Sequence, residues 1–247
     1  GDMGQNEFTG TEKIFELSEK AVAGISGTAT FKQRKNGEAL AVLELMNTPE
    51  EGMHPAHIHS NTALQGGGIV FTFNPVDGST GMSQTNVAML DDETAFIFDD
   101  VLEFDGYINV HLSAEDLGTI VAQGDIGQNE LTGESISYEL GEKDVPGISG
   151  TATLYERTNG TTLAILEVDN TIPNSTHPAH IHENSAEVGG GIKITFTPVD
   201  GTTGMSMTNI SALDDMTAIT YEQLLTYNGY INVHLSPAEL GVVVAQG

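Results

Sequence analysis

Residues 28–46 read TATFKQRKNGEALAVLELM, and this stretch decides the fold class. Two runs rich in β-branched and apolar residues, 28–33 and 40–46, flank Arg34-Lys35-Asn36-Gly37. An Asn-Gly pair between such runs predicts a hairpin, because both residues accept the positive φ of a tight turn. The pair returns later in the chain as Asn159-Gly160. Working outward, residues 69–73 (IVFTF) read as another strand, closed by the turn composition Pro75-Val76-Asp77-Gly78. Residues 107–112 (YINVHL) and 119–123 (TIVAQ) read as two more, and 113–118 between them as a capped helical turn ending at glycine. Residues 98–104 (FDDVLEF) fit either a short helix or a strand. Their later counterpart, 221–227 (YEQLLTY), favours a helix with Thr220 as its N-cap. Many short strands separated by Gly, Pro and Asn turns predict an all-β fold of Greek-key sandwich or barrel type, with one or two short helical turns.

The hairpin returns because the whole chain repeats with an offset of 123 residues and no gap. More than half of the aligned positions are identical, and most differences are mild, such as Phe31 to Leu154 or Val42 to Ile165. A period this long gives two tandem domains, 1–123 and 124–247, rather than a solenoid. No Pro/Ser-rich linker separates them, so the last strand of the first is expected to run directly into the second.

The chain carries 35 acidic and 8 basic side chains, a net charge of −27, and both halves are acidic. This field repels nucleic-acid phosphate and favours cations or basic partners, so a nucleic-acid ligand is not expected. The absence of cysteine excludes disulfides, thiolate metal sites and cysteine nucleophiles. No apolar run approaches the roughly 20 residues of a membrane-spanning helix.

All eight histidines obey the repeat. His54, His57 and His59 in HPAHIH return as His177, His180 and His182, and His111 in GYINVHL returns as His234. Alternation along a strand puts His57 and His59 on one face, with Ala56 and Ile58 on the other. It likewise groups Tyr107, Asn109 and His111 against Ile108, Val110 and Leu112. The apolar sets should line the core, which leaves the histidines on the outer face. If the two strands are neighbours, three imidazoles converge there. Such a set suits copper, zinc, nickel or iron rather than calcium or magnesium, and copper or zinc is the expected cofactor. His54, followed by Pro55, fits either a fourth ligand folding back over that face or a loop residue. The same holds for His177. The competing reading makes all these histidines structural, bonded to one another, to loop carbonyls, or to Asn109 and Tyr107.

Two other motifs carry less. Gly66-Gly67-Gly68 lacks the strand–loop–helix context and lysine of a phosphate cradle and reads as a tight turn over the histidine face. Asp91-Asp92 and Asp214-Asp215 lack EF-hand spacing and read as solvated acidic turns.

Residues 25–31 (ISGTATF), 55–59 (PAHIH), 106–111 (GYINVH) and 117–123 (LGTIVAQ) together resemble the CHRD (chordin) domain, over nearly the whole of each repeat. Leu112 replaces the threonine usual in that family after the second histidine motif, and VAQG replaces its RGQ ending. The resemblance implies an exported, extracellular or periplasmic β-barrel module with a binding role and without established catalysis. A more distant likeness is to copper–zinc superoxide dismutase, whose Greek-key barrel also presents an HxH strand and a late histidine to copper. His57, His59 and His111 would match those ligands. The bridging histidine, the zinc loop and the disulfide cysteines have no counterpart here, and Arg34 and Arg157 both lie beside hairpin turns. Three functions follow in descending order: a non-catalytic exported binding module with a metal cluster in each domain, an adhesion module with structural histidines, and a mononuclear copper redox enzyme.

Overall fold

The alternation of apolar and polar residues becomes twenty strands and two short helices in the computed structural model, which describes all residues, 1–247. The first unit contains β1 (Phe8–Glu19), β2 (Ser26–Arg34), β3 (Ala39–Met46), β4 (Met53–His54), β5 (Ala56–Ser60), β6 (Ile69–Thr72), β7 (Val76–Asp77) and β8 (Met82–Val87). Helix α1 (Phe98–Glu103), β9 (Asp105–His111) and β10 (Ile120–Gly127) complete it. The second unit repeats the order as β11 (Leu131–Glu142), β12 (Ser149–Arg157), β13 (Thr162–Asp169), β14 (Thr176–His177), β15 (Ala179–Glu183), β16 (Ile192–Thr195), β17 (Val199–Asp200) and β18 (Met205–Ile210). It ends with α2 (Tyr221–Leu225), β19 (Gly229–His234) and β20 (Val243–Gln246).

Each unit is one curled antiparallel sheet of ten strands. In the first the order is β4-β7-β8-β3-β2-β1-β10-β9-β5-β6, and the second has the same order shifted by ten. Strand β1 joins the two halves of its sheet: residues from Phe8 to Leu17 pair with β2, while Ser18 and Glu19 pair with β10. The sheet closes over a core that includes Phe15, Phe31, Ile58, Ile108 and Val110, all with no exposed surface. Phe15 meets Phe31 edge-on, with ring centroids 5.7 Å apart. The compact units are Gly1–Glu130 and Leu131–Gly247. Strand β10 therefore runs past the end of the first sequence repeat, pairing with β9 as far as Gly127 opposite Asp105.

The β2–β3 hairpin forms where expected but not with the expected turn. Only Gly37 takes positive φ, +88°, and its N–H donates to the Arg34 carbonyl at 3.0 Å. The Arg34 N–H donates to the Glu38 carbonyl. This is a longer loop with glycine in the left-handed position, not a two-residue turn with positive φ at both residues. Asn36 serves instead through its side chain, which accepts from the Glu38 N–H. The ambiguous segment is helical in both copies. At α2 the Thr220 hydroxyl accepts from the Gln223 N–H and the Gln223 side chain accepts from the Thr220 N–H, a full capping box. At α1 the cap position is Ile97, which has no acceptor, so only the reverse bond from its N–H to Asp100 remains.

Residues 113–118 are not helical, contrary to the sequence expectation. The Ser113 hydroxyl does accept from the N–H groups of Glu115 and Asp116, as an N-cap would. The segment stops at one backbone turn bond, from the Asp116 N–H to the Ser113 carbonyl at 3.3 Å.

Candidate metal centre

Strands β5 and β9 are neighbours, with His57 opposite Asn109 and His59 opposite Tyr107. Period-two alternation then does the rest. Ala56, Ile58, Ile108 and Val110 enter the core, and His57, His59 and His111 gather on the opposite face. One ring nitrogen from each lies within 4.8 Å of the other two, and the second unit assembles His180, His182 and His234 in the same way. Ring centroids are 5.1 Å apart for His57–His111 and 5.9 Å for His57–His59.

These side chains lie away from the core, yet they are not surface residues as an outer face suggests. His57 and His59 are each 8 % exposed and His111 6 %. Loop carbonyls reach in to meet them. His59 Nδ1 donates to the Gly67 carbonyl at 3.0 Å and His111 Nδ1 donates to the Leu117 carbonyl at 2.7 Å. A carbonyl only accepts, so each Nδ1 carries the proton and each Nε2 presents a lone pair. Both Nε2 atoms, and His57 Nδ1, are buried without a hydrogen-bond partner. Leaving such an atom unsatisfied costs about 1–3 kcal/mol each. A shared transition-metal ion at about 2 Å from each nitrogen would satisfy all three. The donor set fits such an ion: three imidazole nitrogens with no competing partner, the tautomers of His59 and His111 fixed by backbone carbonyls.

The surroundings sharpen the fit. Tyr107 stacks on the His59 ring at 4.9 Å, nearly parallel, and its hydroxyl accepts from the Gly67 N–H. Gly67 is obligatory: a Cβ there would lie 1.9 Å from the Ser60 carbonyl oxygen. The glycine run is thus a tight turn at the histidine face, as its sequence suggests. Asn109 is held by Gln123 and does not bond a histidine.

Burial first, and then the neighbouring His111 and His59, push the pKa of His57 down to about 4. His111, His180 and His234 are lowered mainly by burial as well. All four are therefore in the metal-ligating neutral form at neutral pH. Asp91 opposes the shift on His57, and Asp214 that on His180. Asp91 is more than a solvated turn. Its carboxylate accepts from both the N–H and the hydroxyl of Thr72, the residue paired with His57. Asp214 holds Thr195 likewise. Sequence reading missed this pair; the repeated Thr-to-Asp separation, 72 to 91 and 195 to 214, is the signal that carried it.

His54 and His177 are not brought into the triads. Each is fully buried, and its Nδ1 donates to a backbone carbonyl at the end of the ligand strand: His54 to His111 at 3.2 Å, His177 to His234 at 3.1 Å. They tie β4 to β9 and β14 to β19. His177 Nε2 is hydrogen-bonded to the Ser175 hydroxyl at 2.7 Å. Position 52, the equivalent of Ser175, is glycine, so His54 Nε2 has no partner.

No helix is long and apolar enough to cross a membrane. Comparison with family models, with curated proteins and with solved structures finds no match for this chain.

Proposed function

We propose that each unit is a CHRD-like, extracytoplasmic β-module that holds one copper or zinc ion on His57, His59 and His111, or on His180, His182 and His234. The observation that carries this reading is the convergence of three buried, partnerless ring nitrogens, those of His59 and His111 with their proton positions fixed by loop carbonyls. The ion supplies a positive centre that joins β5 to β9 and, through Gly67 and Leu117, both adjoining loops. Burial favours holding over turnover, because a catalytic ion needs an open position for solvent or substrate. The net charge of −27 raises the local concentration of cations around the module. In this reading His54 and His177 are structural braces.

The test is elemental analysis after equilibration with zinc or copper and exhaustive dialysis. Wild type retains two equivalents, and His57→Ala with His111→Ala retains one. Failure of wild type to retain either metal, or equal retention by the variant, overturns the metal assignment and favours a protein-binding module with structural histidines.

A further inference from the structure

The row of outward residues that crosses the first sheet at His57 is polar throughout. Thr72, His57, Asn109 and Gln123 stand opposite one another on β6, β5, β9 and β10. The second sheet repeats the row as Thr195, His180, Asn232 and Gln246. His59 lies two residues along β5 from the His57–Asn109 pair, and His111 lies two residues along β9 in the opposite direction. Their rings lean back until one nitrogen of each histidine lies within 4.8 Å of the other two. The centre of the triad is therefore over the His57–Asn109 pair, and Asn109 is the member of that pair that is not an imidazole.

Asn109 is 4 % exposed and Asn232 6 %. Gln123 Nε2 donates to Asn109 Oδ1 at 2.8 Å, and Gln246 Nε2 donates to Asn232 Oδ1 at 2.8 Å. A lysine fixes the sense of the second bond. Lys143 Nζ, which only donates, bonds Gln246 Oε1 at 3.0 Å, so the nitrogen of Gln246 is the atom left to face Asn232. Asn232 must then accept with Oδ1, and the equivalent bond does the same for Asn109. Strands β10 and β5 flank β9 on opposite sides. With the amide oxygen committed to the β10 side, the N–H groups are left on the β5 side, where they have no partner in the chain. A buried donor without an acceptor is costly.

What the triads lack is an acceptor and a negative charge. No carboxylate and no fourth histidine joins the three side chains of either cluster. Three protein ligands leave one coordination position to a molecule from solution. Neutral imidazoles cancel none of the charge of a divalent ion, and burying that charge uncompensated is unfavourable. Asp91 acts on His57 from a distance, but its two oxygens are engaged by the N–H and hydroxyl of Thr72.

We infer that Asn109 and Asn232 are the recognition groups for a small inorganic anion, which completes each triad as a resident counter-ion and accepts a hydrogen bond from the asparagine N–H. This role rests on the metal reading above. Gln123 and Gln246 are positioning residues: they turn the amide so that it presents N–H and not oxygen. The near-complete burial of the first triad admits an anion of a few atoms, of the hydroxide, halide or azide class, and shuts out larger organic acids.

Azide titration of the copper(II)-loaded full chain tests this, followed by charge-transfer absorption and by the infrared stretch of the bound ion. Wild type is expected to bind two azides per chain. Asn109→Ala with Asn232→Ala should retain two equivalents of copper yet bind azide about tenfold more weakly, as loss of a hydrogen bond to a charged group predicts, with the stretch shifted. Gln123→Leu with Gln246→Leu keeps the donor but frees its orientation, and should weaken azide about threefold and shift the stretch in the same direction. This second pair decides the matter if the asparagine variant loses copper or fails to fold. Copper-loaded wild type that takes up no azide, or azide affinity and stretch unchanged by the substitutions, overturns the proposal and leaves the metal assignment standing. Wild type that retains no copper removes both.

Discussion

The two histidine triads share their residue types and differ in how those side chains are held. In the first, His111 Nδ1 donates to Leu117 at 2.7 Å, and Asp116 pins the loop by accepting from both the N–H and the hydroxyl of Thr119. In the second, Glu239 and Val242 replace that pair, and neither nitrogen of His234 has a partner with hydrogen-bond geometry, although the Leu240 carbonyl still favours its protonated form. His59 is buried where His182 is half-exposed. The duplicate histidines therefore sit in a fixed frame in one unit and a looser one in the other. Side-chain identity and side-chain support are separable properties of this fold.

The largest expected effect breaks the comparison outright. His59→Ala removes a ligand nitrogen and should reduce zinc or copper binding from two equivalents to one, with the remaining equivalent bound as weakly as the second unit alone binds it. Competition with a chromophoric chelator measures both. A variant that loses the tighter and the weaker equivalents equally would show that the units are not independent.

Acid should separate the units next. An unfolded histidine titrates near 6.5, whereas folded His57 is held down at about 4. Between those values the unfolded chain takes up a proton that the native metal-free fold refuses. Stability therefore falls as pH drops through this window and levels off, for this group, below about 4. The contribution of His57 is up to about 3 kcal/mol. His111 adds in the same direction, as do His180 and His234. Urea midpoints in the presence of chelator at pH 7.5 and 4.5 check this. His57→Asn should flatten the dependence of the first unit only, and an unchanged slope would refute the assignment.

Support can then be tested without touching a ligand. Thr119→Val imports the residue found at position 242 and removes the hydroxyl half of the Asp116 clamp, leaving its backbone N–H bond. It should weaken metal binding by the first unit by up to about tenfold, the lower end of what loss of an outer hydrogen bond produces, because it loosens the loop that carries the Leu117 carbonyl. An affinity unchanged within twofold would mean that the Leu117 carbonyl holds His111 unaided. The smallest effect concerns the helices. Ile97→Thr gives α1 the cap that Thr220 gives α2, and should stabilise the first unit by about 1 kcal/mol, while Thr220→Ala costs the second a similar amount. Thermal unfolding resolves both.

Much of this was legible in the sequence because strand alternation is rigid. Once His57-Ile58-His59 and Asn109-Val110-His111 are strands, their histidines must leave the core together. What alternation does not encode is the backbone of distant loops. The carbonyls of Gly67 and Leu117 decide the tautomers, and every residue type carries a carbonyl, so no letter marks them. Segment 113–118 shows the same limit: its Ser113 cap is in place, but it makes only one turn, Asp116 N–H to the Ser113 carbonyl. Long β1 escaped notice because only Phe15 and Leu17 are buried along it, too few to print a period. His54 stood equally for ligand or loop until its Nδ1 was placed on the His111 carbonyl, a contact between strands that no local pattern predicts.

Anomalous diffraction from crystals equilibrated with zinc or copper, recorded at the metal edge, tests the central claim most directly. The account predicts one peak in each unit, about 2 Å from His57 Nδ1, His59 Nε2 and His111 Nε2 in the first and from the matching atoms of His180, His182 and His234 in the second. A peak centred on His54, or none at either triad under saturating metal, would contradict it.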